Sequence, residues 1–345
     1  MARTQEELDA LIALPLDLKV ELTKQRVREW VEYYGVNGVC VSFSGGKDST
    51  VLLDIVRSMY GNDITAVFSD TGLEYPELRR FVRRFENVDI IKPDQSFVDV
   101  ISNYGYPVVS KECAETVSGA RTGLKRRDGT YQYSIDKIYE QGRYARVNGV
   151  KNRYALPKYK PLLSVDFNVS PRCCHISKKN PMKKYYKETG KKAIIGTMTE
   201  ESANRRTDWL LHGCNAFDTG IARSKPMSFW TEQDVLQYIK ERNLPIVSVY
   251  GNIVECKDKK NKCKLCTTGC DRTGCIYCGF GLHLEKGETR FQKLKNTHPK
   301  QWAYCLNGGG YDMDGLWKPT KDGLGMKHVF DVLNELYGED FIRYE

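Results

Sequence analysis

Six consecutive residues, Ser44-Gly45-Gly46-Lys47-Asp48-Ser49, and two groups of cysteines are the places in this 345-residue chain where residue type and spacing could do chemistry. Two adjacent glycines let a backbone turn tightly and aim successive N–H groups at an anion, and the start of a helix adds the positive end of its dipole. Lys47 adds a mobile surface cation, Ser44 and Ser49 add hydroxyls, and Asp48 can hold a magnesium ion or orient the loop. The chemistry is phosphate binding, although the Gly-x-x-x-x-Gly-Lys spacing of a Walker loop is absent. The alternative is an ordinary strand-to-helix turn. Among the cysteines, Cys173-Cys174 is matched by a distant Cys275-Ile276-Tyr277-Cys278. Adjacent cysteines place both sulfurs on one tetrahedral ion only with difficulty, whereas a cubane offers separate iron corners. The set therefore reads as a [4Fe-4S] site, against zinc or buried unligated thiols. Cys256, Cys263, Cys266 and Cys270 form a second set amid lysines and glycines, which reads as a structural zinc site against exposed thiols or a second iron–sulfur site.

The elements that must position these residues follow from hydrophobic patterning. Residues 39–43 are an apolar strand leading through the glycine loop into an amphipathic helix over 51–60. Residues 64–68 and 88–91 read as further strands, with a helix opened by Pro76 over 76–86 between them. Residues 1–35 read as one amphipathic helix stopped by Gly35, with Val27, Trp30 and Val31 on one face. Helices at 181, 200–212 and 231–242, with a strand at 193–195, resume the rhythm. The fold class is α/β with a parallel sheet, whose ligands sit at the carboxyl ends of the strands, where Ser44 to Ser49 and Asp70-Thr71-Gly72 both fall. We divide the chain into an α/β domain over 1–250, a Cys-rich metal module over 251–285, and a helical segment over 286–345. That last segment has helices near 285–295 and 326–337 around a flexible Asn307-Gly308-Gly309-Gly310.

Charge is uneven. The chain carries a net +9, and residues 121–160 hold eleven Lys or Arg against three Asp or Glu, together with six tyrosines. This segment reads as a basic insertion in which Arg126, Arg127, Arg143 and Arg146 grip nucleic acid, DNA or tRNA, while tyrosines stack on unpaired bases; the alternative is a solvated loop. No run of eighteen apolar residues occurs, and residues 1–9 are polar, so a cytoplasmic protein without membrane association is expected. Twelve cysteines in such a chain favour metal ligation over a disulfide framework.

The loop resembles the PP-loop of ATP pyrophosphatases (adenine nucleotide α-hydrolase-like proteins), and with the cysteine pattern the chain resembles the phosphoadenosine phosphosulfate (PAPS) reductase family over roughly residues 38–283. The likeness extends to Asp70-Thr71-Gly72, to Tyr106-Pro107-Val108-Val109-Ser110-Lys111, to Gly196 with Glu200-Glu201-Ser202 and Arg205, and to Trp230-Thr231-Glu232-Gln233-Asp234-Val235. It implies an adenine nucleotide held by Ser44 to Ser49, Asp70, Thr71, Gly72, Lys111, Gly196, Glu201 and Arg205, with Lys47, Asp48 and Asp70 catalytic. It also implies ATP, Mg2+ and a [4Fe-4S] cluster as cofactors. True sulfonucleotide reductases generally lose the loop lysine and carry a Glu-Cys-Gly tail, whereas Lys47 is intact here and the sequence ends in Asp340-Phe341-Ile342-Arg343-Tyr344-Glu345. The pattern looks more like the iron–sulfur branch that includes DNA phosphorothioation enzymes. The function it implies is ATP-dependent adenylation, releasing pyrophosphate, in sulfur transfer to a nucleic acid or related acceptor, with a sulfur donor protein as partner. The alternatives are a PAPS or adenosine phosphosulfate (APS) reductase, and a nucleic-acid-binding component of a modification or defence complex whose nucleotide site is regulatory.

Overall fold

The computed structural model describes residues 3–217, 220, 222–257 and 261–345, which divide into two compact units. The first comprises residues up to Asp70, Glu74–Lys92 and Pro181–Gly274; the second comprises Thr71–Leu73, Pro93–Asn180 and Cys275–Glu345.

The first unit is built on a six-stranded sheet in the order Val88–Ile91, Ala66–Ser69, Val39–Ser42, Lys192–Ile195, Arg223–Ser224, Asn215–Ala216. All neighbours are parallel except the last pair. The mainly parallel α/β sheet is as expected. Its central strand places Val39, Cys40 and Val41 wholly out of solvent, as a strand covered on both faces must be. The loop helix Lys47–Tyr60 turns Val51, Leu52, Leu53, Ile55 and Val56 into the core. Each such aliphatic side chain contributes about 1.5–3 kcal/mol of burial.

The expected single N-terminal helix is two, Gln5–Ile12 and Leu16–Tyr34, because Pro15 stands at the second helix's N-cap. The longer helix buries Thr23, Val27, Trp30 and Val31 at helical spacing. Its buried Lys19 pairs with Asp234 at 2.6 Å, which ties it to the Thr231-capped helix Glu232–Glu241. The helix expected over 76–86 stops at Val82.

The second unit is mainly helical. The helix Lys111–Arg126 runs into the stretch expected to be an insertion, and Gln132–Tyr139 folds back on it. Gly119 and Gly123 make this possible: a Cβ on Gly119 would lie 2.4 Å from Ser134 Oγ, and one on Gly123 2.8 Å from Tyr131 Cβ. The first half of the basic segment is thus a helical hairpin. Towards the C-terminal end, Arg290–Thr297, Pro299–Leu306 and Met326–Tyr337 are helical, the middle one unforeseen. The glycine run near 308 is a packed turn rather than a loose linker, since a Cβ on Gly309 would lie 2.3 Å from the Trp317 ring.

Candidate functional site

In the first unit the chain builds the sheet outward from Val39–Ser42 on one side and later returns to its other side at Lys192–Ile195. Loops leaving two such neighbouring strands diverge and open a crevice at their carboxyl ends. A pocket of about 370 Å³ lies there, lined by Ser44, Gly46, Lys47 and Asp48 from one loop and Met198, Glu200 and Glu201 from the other. Residues from the Glu232 helix start, Tyr250 and the stretch Asp271-Arg272-Thr273-Gly274 complete it.

The loop is fixed by its own side chains. Ser49 Oγ accepts from the Ser44 amide at 3.2 Å and donates to the Gly46 carbonyl at 3.0 Å, while Thr50 Oγ1 donates to that carbonyl at 2.9 Å. Gly45 holds φ +72° where a Cβ would lie 2.7 Å from Val82 Cγ2, so both conformation and packing require glycine. Gly196, where the neighbouring strand ends, passes the Asp48 carbonyl so closely that a Cβ would stand 3.2 Å from its oxygen.

Lys47 is only 5 % exposed, so it is not the surface cation expected from its loop position. Its Nζ donates to Glu232 Oε1 and to the Asp271 carbonyl, both at 2.6 Å, and the Tyr250 hydroxyl accepts from its amide at 3.3 Å. Tyr250 also shares a hydrogen bond with Thr273 Oγ1 at 2.8 Å. Asp48 Oδ1 is buried without a hydrogen-bond partner, and burial pushes this carboxyl up, against the pull of Lys47 and Arg272. Arg205 pairs with Glu201, whose second oxygen lies 3.6 Å from Arg272. The pocket therefore combines a helix N-terminus, two cations, Lys47 and Arg272, and a carboxylate with an unmet oxygen. That donor set fits nucleotide phosphates and a magnesium ion on Asp48.

Asp70 lies elsewhere in this unit. It is buried, with Arg79 Nε 2.8 Å from Oδ1 and Nη2 2.9 Å from Oδ2, and it does not line the pocket. The strand before it, Ala66–Ser69, is not one of the two that flank the divergence. Thr71, Gly72 and Lys111 belong to the second unit. Sequence reasoning missed Glu232, Tyr250 and Asp271 as pocket residues. Glu232 had a signal, the Thr231-capped helix start that resembles the family's Trp-Thr-x-x-Asp-Val stretch, but that likeness assigned no role to Glu232 itself.

In the second unit Cys173, Cys174, Cys275 and Cys278 line one small pocket with Leu73, Phe97, Pro107, Ser177 and Lys178. The Ile276 amide donates to the Leu73 carbonyl at 2.9 Å, and a π-helical turn, His175–Lys179, follows the cysteine pair. The Cys174 thiol is drawn below the ordinary thiol range by its hydrogen bond with Cys173, with Lys111 and Lys178 adding to the pull, while burial opposes it. The same contact and burial push Cys173 up. Lys111 is aimed by its surroundings: Val109 sits at φ +65°, an unusual conformation for a β-branched residue, and Ser110 caps the helix that Lys111 opens. Four cysteines around one pocket, the most acidic beside two lysines, fit the thiolate donor set of a cubane. Among the described residues no three Cys, His, Asp or Glu side chains are arranged as a single metal ion would require.

The second cysteine set does not fit a zinc ion. Cys256 and Cys263 lie on the hairpin Ile253–Lys257 and Cys263–Thr267, with Val254 opposite Cys266, Cys256 opposite Lys264 and Lys257 opposite Cys263. Alternation along the strands puts Cys256 and Cys266 on one face and Cys263 on the other. Cys270 donates to the Tyr75 hydroxyl oxygen at 3.6 Å.

In the basic segment, Arg143 lies over the rings of Tyr133 and Tyr144, at 4.3 and 5.2 Å from their centroids, and Arg146 pairs with Glu140 at 3.0 Å. Arg153 stacks on Tyr154 at 4.6 Å. Arg127 caps the helix Lys111–Arg126 in the left-handed conformation, and Arg126 lies 5.9 Å from the Tyr131 centroid. Many of the expected nucleic-acid contacts are thus engaged with one another. No helix among the described residues is long and apolar enough to cross a membrane.

An uncharacterized protein of Methanocaldococcus jannaschii is 26 % identical over 294 residues, covering 81 % of this chain and 45 % of its own length. The adenosine 5'-phosphosulfate reductase of Burkholderia cepacia is 30 % identical over 121 residues, 34 % of this chain and 43 % of that protein. That of Deinococcus radiodurans is 29 % identical over 80 residues, 23 % and 29 % respectively. The chain thus spans less than half the length of each of these relatives. A crystal structure of PAPS reductase from Candida auris, in a phosphate complex, superposes with a TM-score of 0.37 at 16 % identity, covering 72 % of this chain and 91 % of that one. The family model for the phosphoadenosine phosphosulfate reductase domain matches residues 38–111 and 129–279, and the chain belongs to that family.

Proposed function

We propose that the chain is an ATP-dependent adenylating enzyme, belonging to the iron–sulfur branch of its family and acting in sulfur transfer to a nucleic acid or related acceptor. The observation that carries this reading is Lys47, an intact loop cation seated on the first turn of the loop helix inside the pocket at the sheet's divergence. An acceptor oxygen would attack the α-phosphorus, the bond to the β-phosphate would break, and pyrophosphate would leave onto the loop. Loop amides, Lys47 and Arg272 would stabilise the charge that develops on it. Asp48 would hold magnesium, which supplies charge neutralisation at the phosphates. A sulfur nucleophile would then displace AMP from the activated acceptor. Cys173, Cys174, Cys275 and Cys278 would hold a [4Fe-4S] cluster, which supplies sulfur or electron chemistry.

A second reading, reduction of a sulfonucleotide, is favoured by the two relatives named adenosine 5'-phosphosulfate reductase. It requires an attacking thiolate. Cys305, the one cysteine after Cys278 in this sequence, is wholly buried, and burial holds its thiol well above the ordinary range. Anaerobically purified protein incubated with Mg-ATP, an oligonucleotide acceptor and sulfide as the nucleophile should release AMP and pyrophosphate in equal amounts. Sulfite formed from APS or PAPS under the same conditions, without AMP from ATP, would replace the proposal with the reductase.

A further inference from the structure

The second unit contains a larger concavity than the cysteine pocket, of about 720 Å³, between the helix Lys111–Arg126 and the segment that leads into Cys173. Three exposed cations stand on its walls, Lys125, Arg126 and Arg172, against one carboxylate, Glu115. Two rings stand with them, and each is paired with a guanidinium: Arg172 lies over Tyr104 at 5.0 Å, and Arg126 over Tyr131 at 5.9 Å. A fourth cation, Arg121, is committed to structure, its guanidinium donating to the carbonyls of Val165 and Phe167. Of the other arginines of the basic segment, Arg143, Arg146 and Arg153 are held by tyrosines or by Glu140, and neither they nor Arg127 are among the residues lining the cleft.

The geometry points to this cleft as a binding site for a single-stranded segment of nucleic acid. A net-positive trough takes a run of phosphates, while ring faces bordered by guanidinium groups take unpaired bases, which a duplex does not offer. The wall residue Arg172 is covalently adjacent to Cys173, so a strand lying in the cleft passes beside the cysteine pocket of the same unit. This deepens the proposed function, on whose nucleic-acid acceptor it rests, and it relocates the phosphate contacts from Arg127, Arg143 and Arg146 to Lys125, Arg126 and Arg172.

The test is binding, not turnover. The full chain, purified anaerobically, is titrated against a fluorescein-labelled oligonucleotide of about 12 residues as single-stranded DNA, as RNA of the same sequence and as DNA duplex, from low to moderate salt. Each phosphate contact on a single strand contributes about 0.7 to the slope of log K against log salt. Combining Lys125→Ala, Arg126→Ala and Arg172→Ala should therefore flatten the slope by about 2. Tyr104→Ala should weaken binding by about 5- to 150-fold at an unchanged slope. Arg143→Ala with Arg146→Ala should leave both unchanged. Comparing DNA with RNA identifies the strand. The inference is overturned if the wild type binds neither strand, if it prefers the duplex, or if the slope survives the triple substitution in protein whose melting temperature is unaltered. Nucleotide binding, followed separately with a fluorescent ATP analogue, keeps the two ideas apart. Strand binding without AMP formation defeats the adenylation proposal alone, and AMP formation with an unaffected salt slope defeats the cleft alone.

Discussion

Glu232 holds the cation that the proposed reaction would use on a nucleotide, and this predicts an unusual direction for one substitution. Lys47 is 5 % exposed and Glu232 48 %, with Nζ and Oε1 2.6 Å apart. Because one partner is half in water, the pair falls in the range of partly screened ion pairs, about 0.2–1 kcal/mol. A phosphate that displaces Glu232 gives up that amount, so Glu232→Gln should tighten ATP binding by about 1.4- to 5-fold. Lys47 stays in place in this variant, since the Asp271 carbonyl still accepts from Nζ at 2.6 Å. Lys47→Ala should act in the opposite sense and far more strongly. Losing one preorganised transition-state contact costs about 3–4 kcal/mol, or roughly 10²–10³ in turnover. In the double variant the gain from Glu232→Gln should vanish, because nothing remains to be released. The assay is equilibrium binding of a fluorescent ATP analogue together with AMP formation, for both single variants and the double. If Glu232→Gln weakens binding tenfold or more, or if its effect persists in the Lys47→Ala background, Glu232 contacts the ligand or its metal directly and the competition argument fails.

Anaerobically prepared protein should be brown, with iron and sulfide near four per chain, and Cys174→Ser or Cys278→Ser should bleach it; a colourless protein after reconstitution rejects the cluster. Gly45→Ala should lower stability by about 2–4 kcal/mol in chemical denaturation, from an L residue forced to positive φ and from a methyl group driven into Val82; a loss under about 0.5 kcal/mol would show that the loop can relax. Asp70→Asn should cost roughly 1–3 kcal/mol by breaking a buried pair whose Arg79 partner is itself partly exposed, while leaving the KM for Mg-ATP within about twofold. A tenfold rise in KM would return Asp70 to the nucleotide site.

What was legible in the sequence is what depends on neighbours along the chain. The turn after Ser42 follows from apolar residues, two glycines and an amphipathic helix within twenty positions, and its place at the carboxyl end of a parallel strand follows from the βαβ rhythm. Which loops would share that end did not follow. That depends on sheet order, and only the return of the chain to Lys192–Ile195 beside Val39–Ser42 decides that Glu200 and Glu201 line the pocket while Asp70 does not.

Cysteine identity survived the step from sequence to structure better than cysteine spacing. Cys173, Cys174, Cys275 and Cys278 reach one pocket across a long separation because Val108–Val109 pairs with Gly279–Phe280, the Tyr106 backbone bonds to Asn168 and Ser170, and the Ile276 amide bonds to the Leu73 carbonyl. Cys263 is close in sequence to Cys266 and yet faces away from it and from Cys256, because strand alternation overrides proximity. The basic segment shows the same limit in electrostatic form. Composition counts Arg143 and Tyr133 as two groups offered to a ligand, but in the fold each satisfies the other. The charge that can act on a polyanion is set by which exposed cations share a concave wall, and those are Lys125 and Arg126 from the segment together with Arg172, which lies outside it, although Arg126 and Arg172 each also lie over a tyrosine ring.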